Sequence, residues 1–132
     1  MKVLNPVLEI DWDIMLETPL VIVNFKTYPE ATGKMALELA KTIEKVSVRS
    51  IVSVAVAPQH VDIYQIAGHV GIPVIAQHVD SISPGRNTGW ISMDSVKAAG
   101  AVGTILNHSE HKLQISQIEG AVELAKEADF TT

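Results

Sequence analysis

The stretch Gly103-Thr104-Ile105-Leu106-Asn107-His108-Ser109-Glu110 decides how the chain is read. A short apolar run, opened by glycine and closed by a polar cluster, has the pattern of a fully buried strand. It delivers Asn107, His108, Ser109 and Glu110 together at its C-terminal end. In parallel α/β sheets ligands bind at that end, where loops and helix N-termini converge. A histidine placed there can act as acid, base or electrophile. The same cluster can also serve only as capping and hydrogen-bonding groups. Spacing alone does not choose between the two.

Upstream of this stretch the same unit recurs. Leu20-Val21-Ile22-Val23-Asn24 is a continuous apolar run, the mark of a strand buried on both faces. A loop through Pro29 follows, then a helical stripe of Ala36, Leu39, Ala40, Ile43 and Val46, with Thr32 as its expected N-cap. Ser53–Ala57 is a second strand, followed by a stripe of Ile63, Ile66, Ala67 and Val70 that Gly71 and Pro73 end. His60 and His69 are expected on its solvated side. Val74–His78 is a third strand, and the longer loop 79–90 carries Pro84, Gly85 and Gly89. Ser92 is expected to cap a short helix through Ala99, with Gly100 in the left-handed position after it. Downstream, Ser116-Gln117-Ile118-Glu119 reads as a capping box for a last helix.

Four strand–helix units in succession predict a parallel sheet with right-handed crossovers. Every strand ends in polar residues: Asn24 and Lys26, Gln59 and His60, Gln77 and His78, Asn107 to Glu110. An open doubly wound sheet concentrates its ligands beside one switch point. Four polar ends on one face fit a barrel better.

Composition narrows the function classes. The 132 residues are 47% hydrophobic and 19% charged, one ordinary domain at most. Ten basic against fifteen acidic residues give a net charge of −5 with no basic run, which disfavours a nucleic-acid surface. With no cysteine there is neither a disulfide frame nor thiolate chemistry. No run reaches the length of a membrane span, and Glu9, Asp11 and Asp13 interrupt any signal-peptide core. The chain reads as intracellular, with a cytoplasmic location expected. Residues 1–18 fit the repeating pattern poorly and are expected to form a weakly ordered extension, leaving 19–132 as the folded unit.

Lys26, just past a buried strand, is either an ordinary surface lysine or a cation held by a rigid element. Glu110 could neutralise it, and with His108 the three make a charge-balanced constellation. His108 and His111 form an H-x-x-H, but zinc-binding helical pairs sit four apart and no third ligand is evident, so no metal is expected. No glycine-rich phosphate fingerprint follows any strand, which argues against a dinucleotide fold.

Asn24-Phe25-Lys26-Thr27-Tyr28, Val56-Ala57-Pro58-Gln59, Ala76-Gln77-His78, Thr88-Gly89 and Asn107-His108-Ser109-Glu110, in that order, resemble the triosephosphate isomerase family. The Asn before His108, the short helices and Glu30-Ala31-Thr32-Gly33-Lys34 are most similar to its archaeal branch. The resemblance implies a (β/α)8 barrel of which the first four units stand here. It implies an isomerase of dihydroxyacetone phosphate and glyceraldehyde 3-phosphate that needs no cofactor, takes a small phosphorylated triose and forms homo-oligomers. By the same resemblance Asn24 and Lys26 contact substrate, and His108 is a neutral electrophile beside a helix N-terminus. Glu110 pairs with the lysine, and Thr88 braces a neighbouring subunit's site. Trp90 departs from the smaller polar residue expected in that loop.

A complete barrel of this class has eight units and about 250 residues. The family's general-base glutamate and main phosphate loops belong to units beyond the fourth. Phe130-Thr131-Thr132 reads as the start of a fifth strand, so the chain is expected to be an N-terminal half, inactive alone. Its open edges are expected to pair with a second copy or with the C-terminal half. A non-catalytic half-barrel acting as an assembly module is the alternative.

Overall fold

The computed structural model describes residues 16–132. The expectation of a loose extension over residues 1–18 therefore falls almost wholly outside the described residues.

Four βα units run in order. β1 (Leu20–Asn24) is followed by a 3-10 turn at Pro29–Ala31 and α1 (Lys34–Ser47). β2 (Ser53–Ala57) leads through a 3-10 turn at His60–Asp62 into α2 (Ile63–Ala67). β3 (Ile75–Ala76) precedes α3 (Met93–Ala98), and β4 (Gly103–Thr104) precedes α4 (Ile115–Glu127). β1 and β2 pair in parallel from Leu20↔Ser53 to Asn24↔Ala57. A parallel bridge between Val56 and Val74 joins β2 to β3, and Ile75↔Gly103 joins β3 to β4. The last bridge, Gly103↔Thr131, starts a fifth position in the same sense. The result is half of a TIM-barrel-like arrangement, with the sheet not closed.

Two strands are shorter than the apolar runs suggest. Ladder bonds still extend beyond them, from Val102 N–H to the Val74 carbonyl (2.9 Å) and from Ile105 N–H to the Ala76 carbonyl (2.8 Å). Asn107, at φ +52°, then turns the chain out of the sheet. β1 also departs from expectation. Val21 and Ile22 are 51% and 43% exposed, because among the described residues β1 has a neighbour on one side only.

The sheet has two differently packed faces. Outward, Phe25, Val56, Ile63, Ile66, Val74, Val79, Met93, Val96 and Phe130 form the main core with the helices. Inward, Ala55, Ala57 and Ile75 form a second cluster with Leu16, Leu20 and Ile105. The alternation along β2, Val56 one way and Ala55 and Ala57 the other, is the period-two signature of a strand covered on both sides.

The caps are partly where the sequence puts them. Ser92 Oγ accepts from Ser95 N–H at 3.2 Å, and Gly100 has φ +104°. Thr32 does not cap α1: its hydroxyl donates to the Tyr28 carbonyl and accepts from Gln59 Nε2, both at 2.8 Å. Gly33, at φ +60°, takes the cap position, and its N–H is satisfied by Asp62 Oδ2 at 2.9 Å. The capping box of α4 begins at Gln114, not Ser116. Gln117 Oε1 reaches back to the Gln114 N–H at 2.9 Å, which leaves Ser116 inside the helix.

Candidate functional site

The polar strand ends meet around one open cavity of about 590 Å³, lined among others by Asn24, Lys26, Gln77, His78, His108 and Glu110. Each of the four strands contributes. Parallel strands bring this about because all of their C-terminal ends point the same way.

Lys26 leaves β1 in a left-handed conformation, φ +50°, which a non-glycine residue adopts only when its surroundings hold it. Two groups hold it. Asn24 Oδ1 accepts the Lys26 N–H at 2.9 Å. Gln77 Nε2 donates to the Lys26 carbonyl at 2.9 Å and the Ala57 carbonyl at 3.0 Å, with Asn24 Oδ1 at 3.4 Å. One amide just past β3 thus ties together the ends of β1 and β2. Lys26 Nζ then reaches across to Glu110 Oε1 at 2.7 Å. That hydrogen bond and the opposite charge hold the ammonium above its ordinary value, and the Lys26 bond holds the Glu110 carboxyl below its own.

His108 sits in the turn after β4. Its Nδ1 accepts the Glu110 N–H at 3.1 Å, and Glu110 Oε2 lies 3.7 Å away. A ring nitrogen that accepts from an amide carries no proton. The neutral imidazole therefore has its hydrogen on Nε2, as a donor. The expected helix N-terminus is not what does this: α4 begins only at Ile115, and His108 is followed by a single turn closed by His111 N–H to the His108 carbonyl at 2.9 Å. Asn107 shapes that turn, its Oδ1 accepting from Leu113 N–H at 3.0 Å.

The structure thus brings Asn24, Lys26, His108 and Glu110 together. Thr88 lies apart, exposed in the loop between β3 and α3. Trp90 in that loop is also exposed, while Ile91 pins the loop's base through its N–H to Asp80 Oδ2 at 2.7 Å and its carbonyl to Asp80 N–H at 2.8 Å.

His60, His78 and His111 line the same cavity, and their mutual contacts are what the sequence did not convey. His60 is not on a solvated helix face. Its Nε2 stands 2.7 Å from the His78 carbonyl, and burial pushes its pKa down. His78, itself buried, pairs Nε2 with Asp80 Oδ1 at 3.0 Å. Burial raises the Asp80 carboxyl, but the Ile91 N–H and His78 outweigh it and leave its pKa below the ordinary value. His111 stacks on His78 with ring centroids 4.2 Å apart. Among the described residues no group of three or more His, Cys, Asp or Glu is arranged to hold a metal ion. Polar residues at successive strand ends were the available signal for His60 and Gln77.

The model of the triosephosphate isomerase family matches residues 19–132. The chain belongs to that family. Its curated relatives place it in the archaeal type. It is 50% identical over 116 residues to triosephosphate isomerase of Methanobacterium bryantii, covering 88% of this chain and 51% of the relative. The enzyme of Methanocaldococcus jannaschii is 43% identical over 113 residues, covering 86% and 52%. A crystal structure of triosephosphate isomerase from Bartonella henselae superposes with a TM-score of 0.71 at 19% identity, over 85% of this chain and 48% of that one, a likeness of fold. The chain spans about half the length of the curated family members it matches. Among the described residues no helix is long and apolar enough to cross a membrane.

Proposed function

We propose that this chain is the N-terminal catalytic half of a triosephosphate isomerase, carrying the electrophilic side of the reaction. The observation that supports it is Glu110's double engagement. Its carboxylate takes Lys26 Nζ, and its N–H takes His108 Nδ1. The first fixes an ammonium at the cavity. The second leaves a neutral Nε2–H there.

In this reading the substrate's carbonyl and hydroxyl oxygens lie against His108 and Lys26. As a proton leaves carbon, negative charge develops on oxygen. His108 gives its Nε2 proton to that oxygen and regains one at Nε2 from the neighbouring hydroxyl, while the ammonium stabilises the enediolate by charge. Asn24 orients Lys26 and contacts substrate. Thr88 braces a neighbouring subunit in a homo-oligomer. The carbon-bound proton needs a general base, and the phosphate needs its own loops. Both come from the complementary four units, so the 132-residue chain alone gives background turnover.

Co-expression with residues from the second half of the M. bryantii relative tests the proposal by isomerase assay. Turnover is expected from the pair, with His108→Gln lowering kcat by about 10²–10⁴ and changing KM little. A pair that assembles without turnover would instead favour the assembly-module reading, for which exposed Val21 and Ile22 on β1 speak.

A further inference from the structure

The turn that carries His108 and Glu110 stands clear of the sheet. Ser109, Glu110, His111 and Lys112 are all exposed. Its own bonds are local: Glu110 N–H to His108 Nδ1 at 3.1 Å, and His111 N–H to the His108 carbonyl at 2.9 Å. Bonds of that kind shape a turn, but an exposed segment held by them alone opens readily.

Among the described residues, side-chain hydrogen bonds, ion pairs and ring contacts tie residues 108–112 to other elements at two points. One is Lys26 Nζ to Glu110 Oε1 at 2.7 Å, between side chains 38% and 57% exposed. Exposed ion pairs hold little and weaken with salt. The other is the His111 ring, stacked on His78 at 4.2 Å with the planes 28° apart.

His78 makes this second point the firm one. It is buried, and its Nε2 pairs with Asp80 Oδ1 at 3.0 Å. Asp80 is fixed in turn by Ile91, giving its N–H to the Ile91 carbonyl at 2.8 Å and taking the Ile91 N–H on Oδ2 at 2.7 Å. From the end of β2, His60 Nε2 donates to the His78 carbonyl at 2.7 Å. The imidazole under His111 is thus held by residues from two other segments.

We infer that His111 is a positioning residue for His108. By stacking on His78 it docks the turn, so that the Glu110 N–H stays on His108 Nδ1 and the ring proton stays on Nε2. A neutral imidazole released from that N–H distributes its proton over both nitrogens. A ring pair of this geometry is worth about two- to tenfold in the population of the docked turn. The consequence for turnover rests on the isomerase reading, whereas the effect on the His108 tautomer does not.

Nitrogen NMR and amide exchange on the full chain, above the ordinary histidine range of pH, test it. The parent should show well-separated His108 Nδ1 and Nε2 signals, as a single tautomer gives. His111→Ala should draw the two signals together and quicken exchange of the Glu110 N–H about two- to tenfold. His111→Phe keeps a flat ring on His78 and should restore both. Lys112→Ala, one residue on, should move neither. Each variant keeps the N–H at position 111, and unchanged exchange across β2 separates a released turn from a lost fold. With the second half of the M. bryantii relative supplied, kcat should fall with His111→Ala and recover with His111→Phe. A pair without any turnover would count against the isomerase reading and leave the NMR result to decide the positioning role. Unmoved His108 signals in His111→Ala, failure of His111→Phe to restore them, or an equal response from Lys112→Ala overturns the inference.

Discussion

Gln77 Nε2 stands 2.9 Å from the Lys26 carbonyl, so the residue that follows β3 holds the lysine that follows β1 in its left-handed conformation. Gln77→Met keeps the length of the side chain and removes both donors. The Lys26 carbonyl then loses its partner, a loss of about 1–3 kcal/mol where such a group is shielded from water, while the Ala57 carbonyl keeps the Phe25 N–H at 3.0 Å. The separate readout is the Glu110 carboxyl. Followed by carbon NMR, its pKa should rise toward the ordinary glutamate range as Lys26 Nζ is released. A variant that loses stability while the Glu110 titration stays in place would remove the positioning role.

The Lys26–Glu110 pair itself sets the next expectation. A carboxyl whose folded pKa is depressed contributes stability above its unfolded value and loses it as pH falls through the folded one. Both groups are open to solvent, so the effect on stability is small and weakens with salt. The titration is the sensitive measurement. Lys26→Met should return the Glu110 carboxyl to its ordinary range, and an unmoved titration would show that the pairing does not persist in solution.

His60 gives the chain an acid sensitivity of the same sign in a higher pH range. Burial lowers its folded pKa below the usual 6.5, so the unfolded chain binds the proton first. The contribution is intact above about pH 6.5 and is lost as pH falls from there toward the folded value. Charging it also places a cation beside His78 and His111. Tm measured between neutral and mildly acidic pH should fall, and His60→Gln should flatten that slope. Parallel slopes in the two proteins would move the sensitivity elsewhere.

Gly103 is where the sheet continues. A Cβ there would meet the Thr131 carbonyl oxygen at 2.9 Å and Thr131 Cβ at 3.1 Å. Backbone cannot swing aside as a flexible side chain can. Gly103→Ala should therefore cost about 1–3 kcal/mol, a fall in Tm of several degrees. Amide exchange should quicken at Thr104, whose N–H donates to the Thr131 carbonyl at 2.8 Å. Unchanged Tm and exchange would mean that the fifth position is not held.

What the sequence conveyed well was whatever depends on period and order. Apolar runs at Leu20–Asn24 and Ser53–Ala57 gave the strands, and polar strand ends gave one shared face. Contacts fixed by competition among side chains were harder to read. Thr32 has the chemistry of a cap, but Tyr28 and Gln59 take its hydroxyl. His60 has polar neighbours in sequence, yet the chain's curvature brings it under His78. The tautomer of His108 depends on one amide two residues on, in a turn that no periodicity announces. β1 read as fully buried because its residues suit burial, and its place at the edge among the described residues exposes it.

The left-handed turn at Lys26 has a consequence for how this chain can vary. Glycine adopts φ near +50° without strain, whereas lysine there is held in place by its neighbours. Selection for folding alone would let Lys26 drift to glycine, and with it the ammonium at the cavity would go. Selection for turnover would keep the strained residue together with Gln77. A randomised library at these two positions, sorted once for solubility and once for complementation when co-expressed with the second half of the M. bryantii relative, therefore separates the pressures. Glycine should rise at position 26 in the first sort, and the Lys–Gln pair should survive together in the second.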